Sequence, residues 1–193
     1  MMAHAQRPRW ARVASLALVF LAPVFATAPS RAFEVDLLSV GVRVRVGEQK
    51  VLGVQQPVSF RAYDTTATIR LPWQEPLSSH WLLGTRLLTS AGVLRGADKT
   101  AWLLSLIPLL ALDMQDGRFT LDLGAGLALF GRYRYAEQDF GGPLQVALTL
   151  GVAVPLYERI AVGYRFMHYS DGGAYGRGSI GADFHMVELS YRF

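Results

Sequence analysis

Between Phe119 and Leu129 every second residue is apolar: Phe119, Leu121, Leu123, Ala125, Leu127 and Leu129 alternate with Thr120, Asp122, Gly124, Gly126 and Ala128. A period of two puts successive side chains on opposite faces of a strand. The pattern recurs in Leu144, Val146, Leu148, Leu150, Val152 and Val154 against Gln145, Ala147, Thr149, Gly151 and Ala153. It also appears near the start, where Leu38, Val40, Val42, Val44 and Val46 alternate with Ser39, Gly41, Arg43 and Arg45. The chain therefore reads as all-β.

The minority face decides which side of these strands meets what. In a soluble barrel or sandwich the bulky apolar residues point inward and charged residues meet water. Here the minority face is rich in Gly and Ala rather than Lys, Glu and Gln, which suits a narrow lumen behind a lipid-facing apolar wall. Roughly eight segments alternate, at 34–46, 57–72, 79–94, 99–113, 117–134, 143–156, 159–170 and 181–193. An even number closes without edges, so the expectation is an eight-stranded antiparallel transmembrane β-barrel. "WLLSLIPLLALDM" fits least well, because its continuous apolar run with Pro108 also suits a helix.

The connections "QEPLSS", "MQDGR" and "LYE" are short, whereas "GEQKVLGVQQP", "RGADK", "RYAEQDFGG" and "DGGAYGRGSIG" are mostly longer. Short turns at one end and longer loops at the other follow the outer-membrane pattern. Phe193, closing "VELSYRF", resembles the terminal aromatic assembly signal of bacterial outer-membrane barrels. The expected location is thus the bacterial outer membrane, with membrane lipids as neighbours. A soluble lipocalin-like carrier would also use about eight strands, with its large apolar face inward.

Residues 1–32 read as a secretory signal peptide: Arg7, Arg9 and Arg12 precede the apolar run from Val13 to Phe25, and cleavage options fall at 26–32. The barrel then occupies 33–193. Removal of the leader takes the formal charge from +4 to zero, so the basic balance gives no reason to expect nucleic acid. The 193 residues contain no cysteine, which excludes a disulfide framework, thiolate ligands and a lipoprotein anchor. With four histidines, one of them in the leader, neither a metal nor another cofactor is expected. A homodimer is compatible with the sequence.

The chemistry-bearing residues gather near the end. His168 and Ser170 continue the face of Val162, Tyr164 and Phe166, and Asp183 shares its face with His185, Val187 and Leu189. All three should point outward at the long-loop end of two adjacent antiparallel strands. A serine becomes nucleophilic when an imidazole takes its proton and a carboxylate orients that imidazole. At the membrane rim such a group would meet ester carbonyls of lipids. The same residues also read as interfacial polar groups, with Asp183 ending a strand.

"GYRFMHYSDGG", a glycine-rich loop and "GADFHMVELSYRF" resemble the C-terminal hairpin of the PagL family of outer-membrane lipid A 3-O-deacylases. The similarity extends upstream through "LDLGAGLALFGRYRYAEQDFGGPLQVALTLGVAV". The resemblance implies hydrolysis of the 3-linked hydroxyacyl ester of lipid A, in the lipopolysaccharide of the outer leaflet, without a metal. It assigns Ser170 as nucleophile, His168 as general base and Asp183 as the orienting acid. Asp171 stands where the family has an Asn thought to help hold the oxyanion, and Gly173 matches the family's loop glycine. An ionised Asp cannot donate a hydrogen bond, so Gly173 N–H is left as the expected donor unless Asp171 is protonated or turned away. The alternative is a catalytically impaired barrel of the same family with a structural or surface-binding role.

Overall fold

The computed structural model describes residues 36–52, 56–114, 116–176 and 178–193. The expected signal peptide lies outside the described residues. The strands are β1 (Leu37–Gly47), β2 (Phe60–Pro76), β3 (Trp81–Gly96), β4 (Lys99–Met114), β5 (Thr120–Phe130), β6 (Arg134–Tyr135), β7 (Gln138–Asp139), β8 (Leu144–Tyr157), β9 (Ile160–Ser170) and β10 (Ala182–Arg192). Eight of them form a closed antiparallel barrel in the order β1-β10-β9-β8-β5-β4-β3-β2, and β6 pairs with β7 in the loop that joins β5 to β8.

The faces fall as the alternation requires. Val42, Leu123, Leu127, Leu150 and Leu189 project outward and are about half exposed, while Thr66, Ser90, Asp122 and Thr149 are buried in the lumen. β4 is a strand throughout. It is apolar on both faces because Leu103, Ile107 and Leu109 pack into the lumen while Leu104, Leu106 and Leu110 face out. Its ladder with β5 lapses at Ile107 and Pro108, where the proline ring supplies no N–H.

Several strand ends differ from the sequence reading by three or four residues, β2 for example running from Phe60 to Pro76 rather than over 57–72. The fifth barrel strand stops at Phe130 rather than running to 134, because the following loop folds back and sends Tyr135 and Phe140 into the aromatic core. There Phe130 stacks edge-on with Phe140 at 4.8 Å, and Tyr169 with Phe184 at 5.3 Å, closing the outer end of the lumen. The "RGADK" connection is a tight two-residue turn, with Ala97 and Asp98 both at positive φ, the geometry that matches strand twist in a hairpin.

Ion pairs fill the middle of the barrel. Arg43 meets Asp64 directly across β1 and β2 at 2.8 Å, both side chains fully buried. Arg165 on β9 reaches past β8 to hold Asp122 on β5 with two hydrogen bonds of 2.6 and 2.8 Å, and Glu188 lies 3.8 Å away. The gap it crosses is Gly151, where an added Cβ would stand 2.6 Å from the guanidinium. Arg45 lies 3.6 Å from Glu48, and Arg45 and Arg192 are otherwise held by neutral oxygens. Arg45 donates mainly to the Phe60 and Asp183 carbonyls and the Gln56 side chain, and Arg192 to the carbonyls of Gly117 and Glu158. At the short-turn end the lumen opens into a cavity of about 470 Å³ lined by Arg70, Arg86, Asp113 and Arg159 among others.

Candidate active site

β9 and β10 place the chemistry-bearing residues. Arg165, Met167 and Tyr169 point into the lumen, so Tyr164, Phe166, His168 and Ser170 take the outer side of the same strand. The register sets His168 directly opposite Asp183, and His168 Nδ1 lies 2.6 Å from Asp183 Oδ1. On the other side His168 pairs with Leu148 and Ser170 with Val146 of β8. The exposed side chains of Leu144 and Leu148 continue that apolar wall.

Although both occupy outward positions, His168 and Asp183 are only 8% and 1% exposed. Asp183 is covered by Val51, Leu52 and Gln56 of the connection between β1 and β2. The Val51 and Leu52 amides each donate to Asp183 Oδ2 at 2.6 Å, and the Gln56 side chain donates to the Asp183 carbonyl at 2.8 Å. The carboxylate thus has one oxygen for the imidazole and one for the loop. Three donors on one carboxylate hold its plane. With Nδ1 tied to Asp183, the imidazole has Nε2 left for a proton from elsewhere.

Ser170 stands two residues beyond His168 on the same face. Gly181 marks how close the two groups come: a Cβ there would lie 3.1 Å from His168 Cε1 and 3.4 Å from Ser170 Cβ. Among the described residues no hydrogen bond joins the serine hydroxyl to the imidazole. Such contacts are commonly long before substrate binds.

Asp171 is turned into its own loop. Its Oδ1 accepts from the Gly173 amide at 2.8 Å and its Oδ2 from the Tyr175 amide at 3.0 Å, while Gly172 and Gly173 both adopt positive φ. The Gly173 N–H anticipated as an oxyanion donor is therefore engaged by Asp171 in this structure. His185, also outward, bridges Tyr164 and the Gln49 carbonyl, at 2.5 and 2.6 Å. Among the described residues no group of three or more His, Asp or Glu side chains could hold a metal ion. The Val51 and Leu52 amides were missed by sequence reasoning, since a backbone donor leaves no residue-type signature.

A closed eight-stranded barrel with its apolar face outward, carrying a His–Asp pair and a serine at one rim, defines a membrane-spanning barrel with a lipid-facing polar site. The chain belongs to the lipid A 3-O-deacylase (PagL) family, whose sequence model matches residues 61–192. The crystal structure of the outer membrane enzyme PagL is similar in fold, with a TM-score of 0.65 and 18% identity over 80% of this chain and 99% of that one. The backbone structure of the Yersinia pestis outer membrane protein Ail in phospholipid bilayer nanodisc aligns at a TM-score of 0.44 and 9% identity, over 81% of this chain and 99% of that one. No curated protein sequence matches the chain.

Proposed function

We propose that this protein resides in the bacterial outer membrane and removes the 3-linked hydroxyacyl chain of lipid A by serine-based ester hydrolysis. The carrying observation is the His168–Asp183 pair, 2.6 Å apart on the lipid side of the barrel, with Ser170 two residues further along the strand. Ser170 Oγ attacks the ester carbonyl while His168 Nε2 takes its proton. The tetrahedral intermediate collapses as the sugar 3-oxygen leaves and receives that proton, and the acyl chain stays on the serine. Water, deprotonated by the same nitrogen, then releases the hydroxy fatty acid and restores the hydroxyl. Asp183 keeps the proton on Nδ1 and stabilises the imidazolium. Leu144, Val146 and Leu148 supply an apolar bed for the departing chain.

Mass spectrometry of lipid A from cells expressing the protein tests this reading. Loss of one 3-hydroxyacyl chain is expected, and Ser170→Ala or His168→Ala should abolish it. Unchanged lipid A with the wild-type barrel correctly inserted would instead support the impaired-barrel reading, which the engagement of the Gly173 amide by Asp171 favours.

A further inference from the structure

On the outer face of β2 and β3, Arg61 stands directly opposite Arg95, and both side chains are exposed. Among the described residues neither has a hydrogen-bond or ion-pair partner. Like charges in directly opposed positions of a sheet repel each other. Towards the middle of the barrel wall the same face presents Tyr63 and Trp102, each about half exposed, the residue types that settle at a membrane–water boundary. The two guanidiniums thus stand at the rim, just above the apolar wall, where lipid headgroups lie.

We propose that Arg61 and Arg95 form an anion clamp for a phosphate on a lipid headgroup. A phosphate between them would accept planar, charge-assisted hydrogen bonds from both and would relieve their repulsion. The register places the clamp near the candidate active site. Tyr63 pairs with Val44 and His185 with Gly47, which sets Arg61 at about the level of His185, two strands away. At a strand spacing of about 4.8 Å, Arg61 stands about 10 Å from β10 along the wall and Arg95 about 15 Å. Ser170 stands one strand further and four residues beyond the level of His185, about 20 Å from Arg61 along the wall, so a phosphorylated glucosamine disaccharide lipid seated on the clamp would be held on the same rim as the serine. This assignment rests on the proposed deacylation for its substrate class, but binding can be read without turnover.

The test uses the full barrel in non-ionic detergent and native mass spectrometry. The probe is a bis-phosphorylated diacyl glucosamine disaccharide lacking 3-linked esters, compared with its dephosphorylated form. Wild type should hold the phosphorylated probe about tenfold more tightly or better, the scale of one hydrogen bond to a charged group. Arg61→Gln with Arg95→Gln should lose that preference, and Ser170→Ala should keep it. Equal binding of both probes by wild type, or an undiminished preference in the double variant, would overturn the clamp. Displacement of the lipid by inorganic phosphate at matched concentration would also overturn it, showing a free-anion site rather than a headgroup site. A Ser170→Ala protein that keeps the preference, alongside a wild type that never cleaves lipid A, would sink the deacylase reading and leave the clamp standing.

Discussion

The Gly173 amide donates to the Asp171 carboxylate at 2.8 Å, so the side chain next to the proposed nucleophile also occupies the amide expected as oxyanion donor. In the proposed reaction, the negative charge of Asp171 and the engaged amide would both oppose stabilisation of a developing oxyanion. Asp171→Asn removes the negative charge and offers an N–H₂ donor, while its carbonyl oxygen can still accept from one loop amide. The expected result is faster lipid A deacylation, by about tenfold or more and up to the ~100-fold supplied by one oxyanion donor. An unchanged rate in a single-turnover assay would confine Asp171 to capping the loop.

Asp183→Asn is nearly isosteric but should be severe. The Val51 and Leu52 amides require an acceptor on their side, which turns the new N–H₂ toward His168 Nδ1. Nδ1 must then accept, so the proton moves to Nε2, and the ring can no longer take one from Ser170. A loss of about 10⁴-fold in kcat is expected, with the barrel still folded. Near-normal kcat would show that the carboxylate does not set the tautomer.

Leu52→Pro deletes one of the two amide donors to Asp183 without altering any group that would touch substrate by charge. Loss of a hydrogen bond to a charged group costs about 1.5–3 kcal/mol. It should appear as a fall in kcat of about 10- to 100-fold with a smaller change in KM. Leu52→Ala keeps the amide and should leave kcat near wild type. If the two variants behave alike, the side chain rather than the N–H matters.

Arg165→Met leaves Asp122 buried without its two-point partner. Breaking a buried pair by removing one partner costs about 3–5 kcal/mol. Urea unfolding from lipid bilayers should shift to lower denaturant by that amount, and adding Asp122→Leu should recover much of it. A shift below about 1 kcal/mol would mean that water reaches this part of the lumen.

Much of the fold and half of the candidate site were legible in the residues themselves. Strict alternation along β5, β8 and β1 identifies the strands and their faces, because a side chain's face follows from its parity. The outward positions of His168, Ser170 and Asp183 follow in the same way, as does the nearness of His168 to Asp183 in a hairpin whose strands the glycine-rich loop joins. The fifth strand was less legible. Its end depends on where Tyr135 and Phe140 find aromatic partners, and those are Phe60 of β2 and Phe130 of β5 itself.

What the amino-acid order determined by itself is therefore the repeating part: strands, faces, and the side of the wall that carries the polar triplet, all consequences of local backbone geometry. Closure of the barrel decided the rest. It brought the Val51 and Leu52 amides onto a carboxylate about 130 residues away, buried an outward-facing imidazole, and let Arg165 reach Asp122 through the space at Gly151. Those contacts join backbone donors or side chains from distant strands, and neither parity nor spacing along the chain encodes which loop will fold over which strand.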